Sequence, residues 1–352
     1  MTFSVSCQIG ALQFKSSMKI QASSPCRVDL AGGTLDLWPL YLFHDSAVTV
    51  NFAVDRYTRC WLSTRNDGAI HLKSRDLGIS ESFASLEALM AAKKYRLPLT
   101  AWQLRFWQPE VGIDLETISE APAGAGISGS SSLMITVASA LNKLTKSGHS
   151  LEKLREIAQN IEAQIIKVPT GCQDYYPAMY GGVSAIEMDP AGIKRIGLPL
   201  DLPEFEERIV LAYTGEPRNS GINNWEVMKK HVDGDKAVHR AFDEISAIAN
   251  GVRTALAASD WEELAALIRA EWGHRKKNAP GITTPLIDRL VKATSRAGAK
   301  AAKVCGAGGG GCVFFLVERG SKAKVQAVIE REGAQVLDVR VAPRGVQVST
   351  KN

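Results

Sequence analysis

A loop rich in glycine and serine carries the clearest chemical signal in this sequence. Residues 122–133 read PAGAGISGSSSL and lie between a predicted strand at 113–118 and a predicted helix that begins at Ser130. Glycine adopts positive φ freely and lets backbone N–H groups approach a ligand, and a helix N-terminus presents unpaired N–H groups to an anion. The loop therefore predicts an anion site, with the Ser130 hydroxyl as a helix cap or a Mg²⁺ ligand. A glycine turn with a serine cap is the structural alternative.

Two other glycine-rich segments support a ligand site. Residues 24–36, SPCRVDLAGGTLD, run from a predicted strand into a double-glycine turn and contain Arg27 and Asp36. Residues 303–312, KVCGAGGGGC, hold five glycines just before an apolar strand. Because glycine loses more backbone entropy on folding than other residues, this density indicates either close approach to a ligand or a tight packing turn.

These loops must be positioned by a mixture of strands and helices. Alternating apolar residues at 47–54 and 58–63 predict strands, and apolar residues spaced by three and four predict helices over 130–144 and 151–168. After a turn-rich region, strands are predicted at 208–213, 311–317 and 335–342, and helices at 236–258, 260–273, 284–297 and 320–332. The pattern predicts an α+β fold with a domain boundary near residue 204, preceded by an extension at 1–17.

Composition narrows the class of protein. A chain of 352 residues fits two domains. A net charge of +5, with both signs interspersed, is too weak to favour nucleic acid. No apolar run approaches the roughly 20 residues of a membrane span, and the N-terminus lacks a secretory pattern. The six cysteines form no C-x-x-C pair, which favours free thiols in a reducing compartment. We therefore expect a cytoplasmic protein that binds neither nucleic acid nor a membrane.

Taken together and in order, the three glycine-rich segments resemble the motifs of the GHMP kinases, which phosphorylate small molecules such as galactose, homoserine, mevalonate and phosphomevalonate. The central loop is similar to the family pattern Pro-x-x-x-Gly-Leu-Gly-Ser-Ser-Ala, with Ile127 for Leu and Ser128 for Gly. The resemblance implies a two-domain fold: a ribosomal-S5-domain-2-like α/β domain at 18–204 and a ferredoxin-like α+β domain at 205–352. It also implies the use of ATP and Mg²⁺.

Within that family the chain looks most like sugar kinases that act at the anomeric hydroxyl, such as heptose-7-phosphate kinases and fucokinases. The shared stretches are an Arg-x-x-x-x-Gly-Gly-x-x-Asp pattern from Arg27 to Asp36, an Asn-x-Ala-x-x-x-Tyr pattern at 51–57, and residues 271–282. Thr34-Leu35 departs from the usual Gly-Thr. The implied acceptor is a sugar phosphate like heptose 7-phosphate. A free sugar or cyclitol (fucose, galactose, inositol) and a catalytically silent sugar sensor are the alternatives.

The resemblance also implies roles for individual residues. Asp174 is the expected catalytic base and Arg27 the cation beside the acceptor oxygen, while Ser130 and Glu162 are the expected Mg²⁺ ligands. A capping or ion-paired Asp174, a surface-paired Arg27 and an exposed helical Glu162 are the structural alternatives. The expected contacts of the ATP phosphates are Gly124, Ala125, Gly126, Ile127, Ser128, Gly129, Ser130 and Ser131. The expected contacts of the acceptor are Gly33, Thr34, Asp36, Tyr175, Arg275, Lys276, Gly308 and Gly309. The expected binding partner is the small-molecule acceptor. The expected oligomeric state is a monomer or homodimer.

Overall fold

Two β-sheets and the helices packed on them make up the part of the chain that the computed structural model describes, residues 18–217, 221–278, 281–306 and 308–351. The predicted extension at 1–17 lies outside these residues. The strands are β1 (Lys19–Ala31), β2 (Val48–Arg65), β3 (Ile70–Ser74), β4 (Ile79–Phe83), β5 (Gly112–Ser119), β6 (Val183–Asp189), β7 (Gly192–Gly197), β8 (Ile209–Tyr213), β9 (Ala299–Val304), β10 (Cys312–Val317), β11 (Gln335–Leu337) and β12 (Gln347–Lys351). The helices are α1 (Leu86–Ala91), α2 (Pro98–Trp107), α3 (Gly129–Thr145), α4 (Leu151–Ile166), α5 (Tyr176–Tyr180), α6 (Leu202–Glu207), α7 (Gly221–Val232), α8 (Lys236–Ala257), α9 (Trp261–Asn278), α10 (Pro285–Ser295) and α11 (Lys322–Arg331).

The first sheet is organised around the long strand β2. Its strands follow the order β12-β1-β2-β5-β3-β4, and β6 and β7 extend from the first half of β2. Residues 48–52 of β2 pair with β6, and residues 58–65 pair with β5. The two predicted runs at 47–54 and 58–63 are therefore parts of one strand. The polar residues between them stay extended because other segments pair their backbone: Asp55 N donates to Arg340 O, and Glu120 N donates to Tyr57 O.

The second sheet has the strand order β11-β8-β10-β9, and all its pairs are antiparallel. Counted along the chain this is the order 4-1-3-2, which is the arrangement of a ferredoxin-like βαββαβ unit. Helices α10 and α11 cover one face of this sheet through buried residues such as Ile287, Leu290, Val325 and Ile329. After β11 the chain returns to the first sheet, where β12 pairs antiparallel with β1.

A shared apolar cluster joins the two sheets. The ring centroid of Phe52 on β2 lies 5.1 Å from that of Phe205 on α6 and 6.0 Å from that of Phe314 on β10. All three side chains are buried in a cluster that also contains residues of α8 and α9. The fold is the predicted α+β arrangement of two sheet-and-helix layers, and its glycine-rich loops meet where the layers adjoin.

Candidate active site

A cavity of about 650 Å³ lies along the loop at 122–131. Such a volume falls in the range of small-molecule sites. The loops that sequence analysis singled out contribute to its wall together with residues of α2, α4 and the turn before β4. Its lining includes Arg27, Asp29, Gly33, Thr34, Asp36, Gly124, Ala125, Gly126, Ile127, Ser128, Gly129, Ser130, Ser131, Glu162, Gly171, Asp174, Arg275 and Gly306.

The glycine-serine loop is curled by left-handed backbone. Gly124 and Gly126 have φ of 69° and 81°, and Ser128 has φ of 59°. Helix α3 begins at Gly129, directly after Ser128, whose side chain makes no capping hydrogen bond. The Ser128 Oγ is buried and has no hydrogen-bond partner among the described residues. The loop therefore brings an unsatisfied hydroxyl and the N-terminus of α3 to the cavity, as an anion site requires.

The third glycine-rich segment packs against this loop on the side away from the cavity. Cys312 N donates to Ala125 O at 2.6 Å, and a Cβ on Gly311 would lie 2.7 Å from the same oxygen. Gly308 and Gly309, both expected to contact the acceptor, instead pack against Ile282 and Gly281 and do not line the cavity. Gly306 is the member of this segment that does line it.

An ion pair between Arg27 and Asp174 stands at the cavity wall. Arg27 lies on β1 and Asp174 on the short 3₁₀ turn Gln173–Tyr175. Arg27 Nε donates to Asp174 Oδ1 at 2.9 Å, its Nη2 donates to the same oxygen, and its Nη1 donates to Gly126 O at 2.9 Å. Burial opposes the charge of Arg27, but Asp174 and Asp29 raise its pKa above the ordinary value. Arg27 thus joins the carboxylate to the glycine-serine loop.

Glu162 reaches the same cavity from α4. This helix starts at the Ser150 cap, which accepts from Lys153 N, and it packs on α3 so that Glu162 meets the start of α3. Ser130 Oγ donates to Glu162 Oε1, and Ser131 Oγ and Tyr175 OH donate to Oε2 at 3.0 and 2.6 Å. Burial raises the pKa of Glu162, which these hydrogen bonds oppose. The carboxylate expected as a metal ligand is therefore buried, and Tyr175 supports it from behind instead of facing the cavity.

Asp36 is the buried carboxylate of the double-glycine turn. Its Oδ2 accepts from Gln173 N at 3.0 Å, and it lies so close to Gly171 that any Cβ there would overlap its carboxyl group. Burial and the nearby charge of Asp174 raise the pKa of Asp36 to about 6. Gly33 and Thr34 line the cavity beside it, and Thr34 has φ of 83°.

Four buried charged residues, Asp29, Glu271, Arg275 and Lys303, lie at or behind this wall, and the sequence analysis gave them no role or an incomplete one. Lys303 Nζ donates to Asp29 Oδ2 at 2.9 Å and to Glu271 Oε1 at 3.1 Å. Arg275 Nη1 donates to Asp29 Oδ2 at 3.2 Å, and its Nη2 donates to Gly306 O. Burial opposes ionisation of Asp29, but Lys303, Arg27 and Arg275 lower its pKa well below the ordinary value.

A signal for this cluster is present in the sequence. Asp29 stands between two apolar residues of the predicted strand before the double-glycine turn, and Lys303 stands between Ala302 and Val304. An unpaired charge in such surroundings is costly to bury. Since alternate residues of a strand share a face, Arg27 and Asp29 on β1 point to the same side. Through Asp29, which pairs with both of them, the cluster holds the Arg27 and Arg275 side chains in place.

The structure brings together most of the predicted site residues. Arg27, Asp174, Ser130, Glu162, Asp36, Gly33, Thr34, Arg275 and residues 124–131 all line one cavity. Tyr175, Lys276, Gly308 and Gly309 do not line it. Lys276 is exposed, with its Nζ 5.6 Å from the centroid of the Trp272 ring.

Comparison with known proteins gives the class. The family model described as GHMP kinases N terminal domain matches residues 88–182, and the one described as GHMP kinases C terminal matches residues 252–335. The chain therefore belongs to the GHMP kinase family, and it is a phosphotransferase. None of the helices in the described part of the chain is long and apolar enough to cross a membrane.

Individual relatives cover nearly the whole chain. The D-glycero-alpha-D-manno-heptose 7-phosphate kinase of Campylobacter jejuni is 28% identical over 337 residues, which make up 93% of this chain and 98% of that protein. The L-fucokinase/L-fucose-1-P guanylyltransferase of Bacteroides fragilis is 24% identical and covers 96% of this chain with 39% of its own length. Among solved structures, Lactococcus lactis galactokinase complexed with galactose has a TM-score of 0.75 at 21% identity, covering 94% of this chain and 95% of that one.

Proposed function

We propose that this protein transfers the γ-phosphate of ATP, with Mg²⁺, to the anomeric hydroxyl of a sugar phosphate similar to heptose 7-phosphate. One observation carries the proposal: the Arg27–Asp174 ion pair and the Ser130–Glu162 pair line the same cavity. The first pair has the chemistry to activate a hydroxyl, and the second pair has the chemistry to hold a divalent cation beside phosphates.

The residues of the glycine-serine loop fit a nucleoside triphosphate. The backbone N–H groups at 124–131, the buried Ser128 hydroxyl and the start of α3 would hold its phosphates. Ser130 and Glu162 supply hard oxygen ligands, which suit Mg²⁺. When bound there, the cation neutralises charge on the transferred phosphoryl group.

Asp174 and Arg27 divide the work on the acceptor hydroxyl. The Asp174 carboxylate is partly exposed to the cavity, with 27% of its side chain accessible, whereas only 3% of the Arg27 side chain is accessible. Asp174 would accept the hydroxyl proton. Arg27 would orient the Asp174 carboxylate and stabilise negative charge on the reacting oxygens, as a nearby cation does.

The acceptor would lie between the double-glycine turn and Arg275. Asp36 offers a buried carboxylate to sugar hydroxyls, and a site built to pair hydroxyls rejects analogues that lack them. Arg275 is the cation of this region that lines the cavity beside Gly33. The choice of a sugar that already carries a phosphate rests on similarity to the heptose 7-phosphate kinase over almost the full chain. A free sugar or cyclitol is the alternative acceptor.

A panel of acceptors tests the proposal. ADP release from MgATP is measured with heptose 7-phosphate, its dephosphorylated counterpart, fucose, galactose and inositol, and ³¹P NMR identifies the phosphorylated carbon. We expect the highest kcat/KM for the sugar phosphate and a new phosphate at the anomeric carbon. ADP release with the free sugars or inositol alone would show that the acceptor is not a sugar phosphate. No release with any acceptor would refute the proposal.

The variant Asp174→Asn distinguishes a loss of the catalytic base from a loss of folding. Because asparagine keeps the size but cannot accept the proton, we expect kcat to fall by about 10²-fold or more with little change in the KM for ATP. The exposed Asp233→Asn on the surface of the molecule is the matched control. Full activity in Asp174→Asn would exclude Asp174 as the base.

The proposal also covers the cellular compartment and the oligomeric state. Buried thiols such as Cys26, Cys60 and Cys172 are free, which supports function in the reducing cytoplasm. We further propose a monomer or homodimer, which size-exclusion chromatography with light scattering would distinguish.

A further inference from the structure

Three histidines from distant parts of the chain meet outside the cavity. The chain has six histidines. His44 follows the 3₁₀ turn Leu40–Phe43, His231 lies near the end of α7, and His239 lies in the first turns of α8. One ring nitrogen of each residue lies within 4.8 Å of those of the other two. None of the three lines the candidate active site.

The Nε2 atoms of His44 and His231 lie close to the spacing of two ligands of one small cation, and His239 stacks beside them. His44 Nε2 lies 2.8 Å from His231 Nε2, and the ring centroids of His231 and His239 are 3.9 Å apart. Zinc–imidazole bonds of about 2.0–2.1 Å in tetrahedral geometry place neighbouring ligand nitrogens about 3.3 Å apart. An ion therefore requires the His44 and His231 rings to separate by only about half an ångström.

Asp243 on α8 sets the proton position of His44. His44 Nδ1 lies 2.7 Å from Asp243 Oδ1, and an ionised carboxylate only accepts hydrogen bonds. Nδ1 therefore carries the hydrogen, and the lone pair of Nε2 points into the histidine cluster. A carboxylate that accepts from the far nitrogen of a histidine is the usual support of a metal-binding imidazole.

Hydrogen bonds alone leave this cluster incomplete. The His231 side chain is buried, and its Nδ1 has no partner among the described residues. Phe43 and Phe242 flank the rings, with centroids 5.4 Å from those of His231 and His44 respectively. His239 Nε2 lies 2.9 Å from the backbone oxygen of His231, which only accepts hydrogen bonds, so Nε2 carries the hydrogen and Nδ1 offers its lone pair to the cluster. Imidazole is a preferred ligand of zinc and neighbouring divalent metals.

From this geometry we propose that His44, His231 and His239 bind a divalent transition-metal ion of the zinc class, with Asp243 orienting His44. The ion would tie the segment after the double-glycine turn, which carries His44, to helices α7 and α8 of the C-terminal half. Its role would be structural, because the site is separate from the cavity that holds Asp174 and Glu162.

Metal content tests the proposal independently of kinase activity. Chelator-treated full-length protein is incubated with Zn²⁺ in an excess of Mg²⁺, which occupies the candidate magnesium site, and is then desalted for mass-spectrometric metal analysis. The test variant is His239→Gln, and His71→Gln is the control, since His71 is a half-exposed histidine outside the cluster. We expect about one zinc per chain in the wild type and the control, and at least a tenfold weaker affinity in His239→Gln. We also expect zinc to raise the Tm of the wild type but not that of His239→Gln.

Two results would overturn the proposal: a wild type that retains no zinc, or equal zinc content in His239→Gln and His71→Gln. If circular dichroism shows that His239→Gln is unfolded, a Co²⁺ titration of the wild type decides. An intense visible band typical of tetrahedral coordination, displaced by Zn²⁺ but not by Mg²⁺, would support the site. The absence of that band would refute it.

Discussion

Three carboxylates around the cavity differ in their electrostatic surroundings. Asp29 is buried among Lys303, Arg27 and Arg275, which lower its pKa, whereas Asp36 is buried beside another acid, which raises its pKa to about 6. Burial also raises the pKa of Glu162, although three hydroxyl groups donate to it. The neighbours of each carboxylate therefore set the direction of its pKa shift, because burial and a nearby acid raise the pKa of a carboxyl group and a nearby cation lowers it.

The raised pKa of Asp36 predicts a pH-dependent cost to stability. The folded protein holds this proton up to about pH 6, while an ordinary Asp releases it near 3.8. Between these values the folded state binds more protons, so the contribution of Asp36 to stability falls as the pH rises and reaches its least favourable value above pH 6. We expect Asp36→Asn to raise the free energy of unfolding relative to wild type by roughly 2 kcal/mol more at about pH 7.5 than at about pH 4.

Urea unfolding at both pH values measures this difference. The exposed Asp45→Asn reports the effect of the same chemical change at the surface. A difference between Asp36→Asn and wild type that stays constant across this range would contradict the raised pKa. Because Asp36 is also a proposed acceptor contact, the same variant should raise the KM for the acceptor.

Two loops, rather than regular elements, shape the side of the cavity where we propose that the nucleotide binds. Ser128 occupies a left-handed conformation in which an L-residue is strained by about 1–2 kcal/mol, at the position where the resemblance expects glycine. Gly311 packs closely against the backbone oxygen of Ala125, which is possible because glycine has no Cβ. The geometry of the glycine-serine loop thus depends on a second loop that lies far away in sequence.

This dependence predicts a loss of ATP affinity in Gly311→Ala. A Cβ at this position would lie 2.7 Å from Ala125 O and push the loop toward the cavity. Small displacements of positioning groups cost up to about 10²-fold in rate, so we expect the KM for ATP to rise at least tenfold. Gly320→Ala is a matched control, since Gly320 has the same φ of 78° but nothing within 4 Å of the added atom. Equal KM values in the two variants would show that Gly311 does not support the loop.

The molecule as a whole is joined by charge as well as by apolar packing. Asp29 belongs to the first sheet, Lys303 to the second, and Glu271 and Arg275 to α9. The Lys303 side chain has 0% of its surface accessible, and those of Asp29 and Glu271 have 1% and 0%. These charges are compensated only when both sheets and α9 are in place, so the cluster couples the assembly of the fold to the position of Arg27.

Removing the central cation of this cluster should destabilise the whole protein. Lys303→Met leaves Asp29 and Glu271 buried with less compensation, and breaking a buried pair in this way costs about 3–5 kcal/mol. Lys300→Met on the same strand is the control, because Lys300 is 37% exposed and pairs only with exposed acids, where the expected loss is below about 1 kcal/mol. Chemical denaturation measures both values. Equal losses in the two variants would argue against a cooperative buried cluster.

The sequence by itself determined several of the longer elements, the α+β class and the family. Apolar spacing predicted α3, α4, α8 and β10 to within a few residues, because an amphipathic pattern records which face is buried. The three glycine-rich segments predicted the loops that line the cavity, since glycine density marks close backbone approach. The GHMP kinase prediction is confirmed by the family models.

Only the tertiary structure decided how these segments meet. The strand that continues through residues 55–57 depends on pairing with Arg340 and Glu120, which no local pattern contains. Tyr175 follows Asp174 directly, yet it points at Glu162 because consecutive residues of a tight turn face different directions. The Asp29–Lys303 and His44–His231 pairs join residues separated by 274 and 187 positions. Contacts between residues so far apart in the sequence form only when the chain folds in three dimensions, because no local pattern encodes which distant side chains will meet.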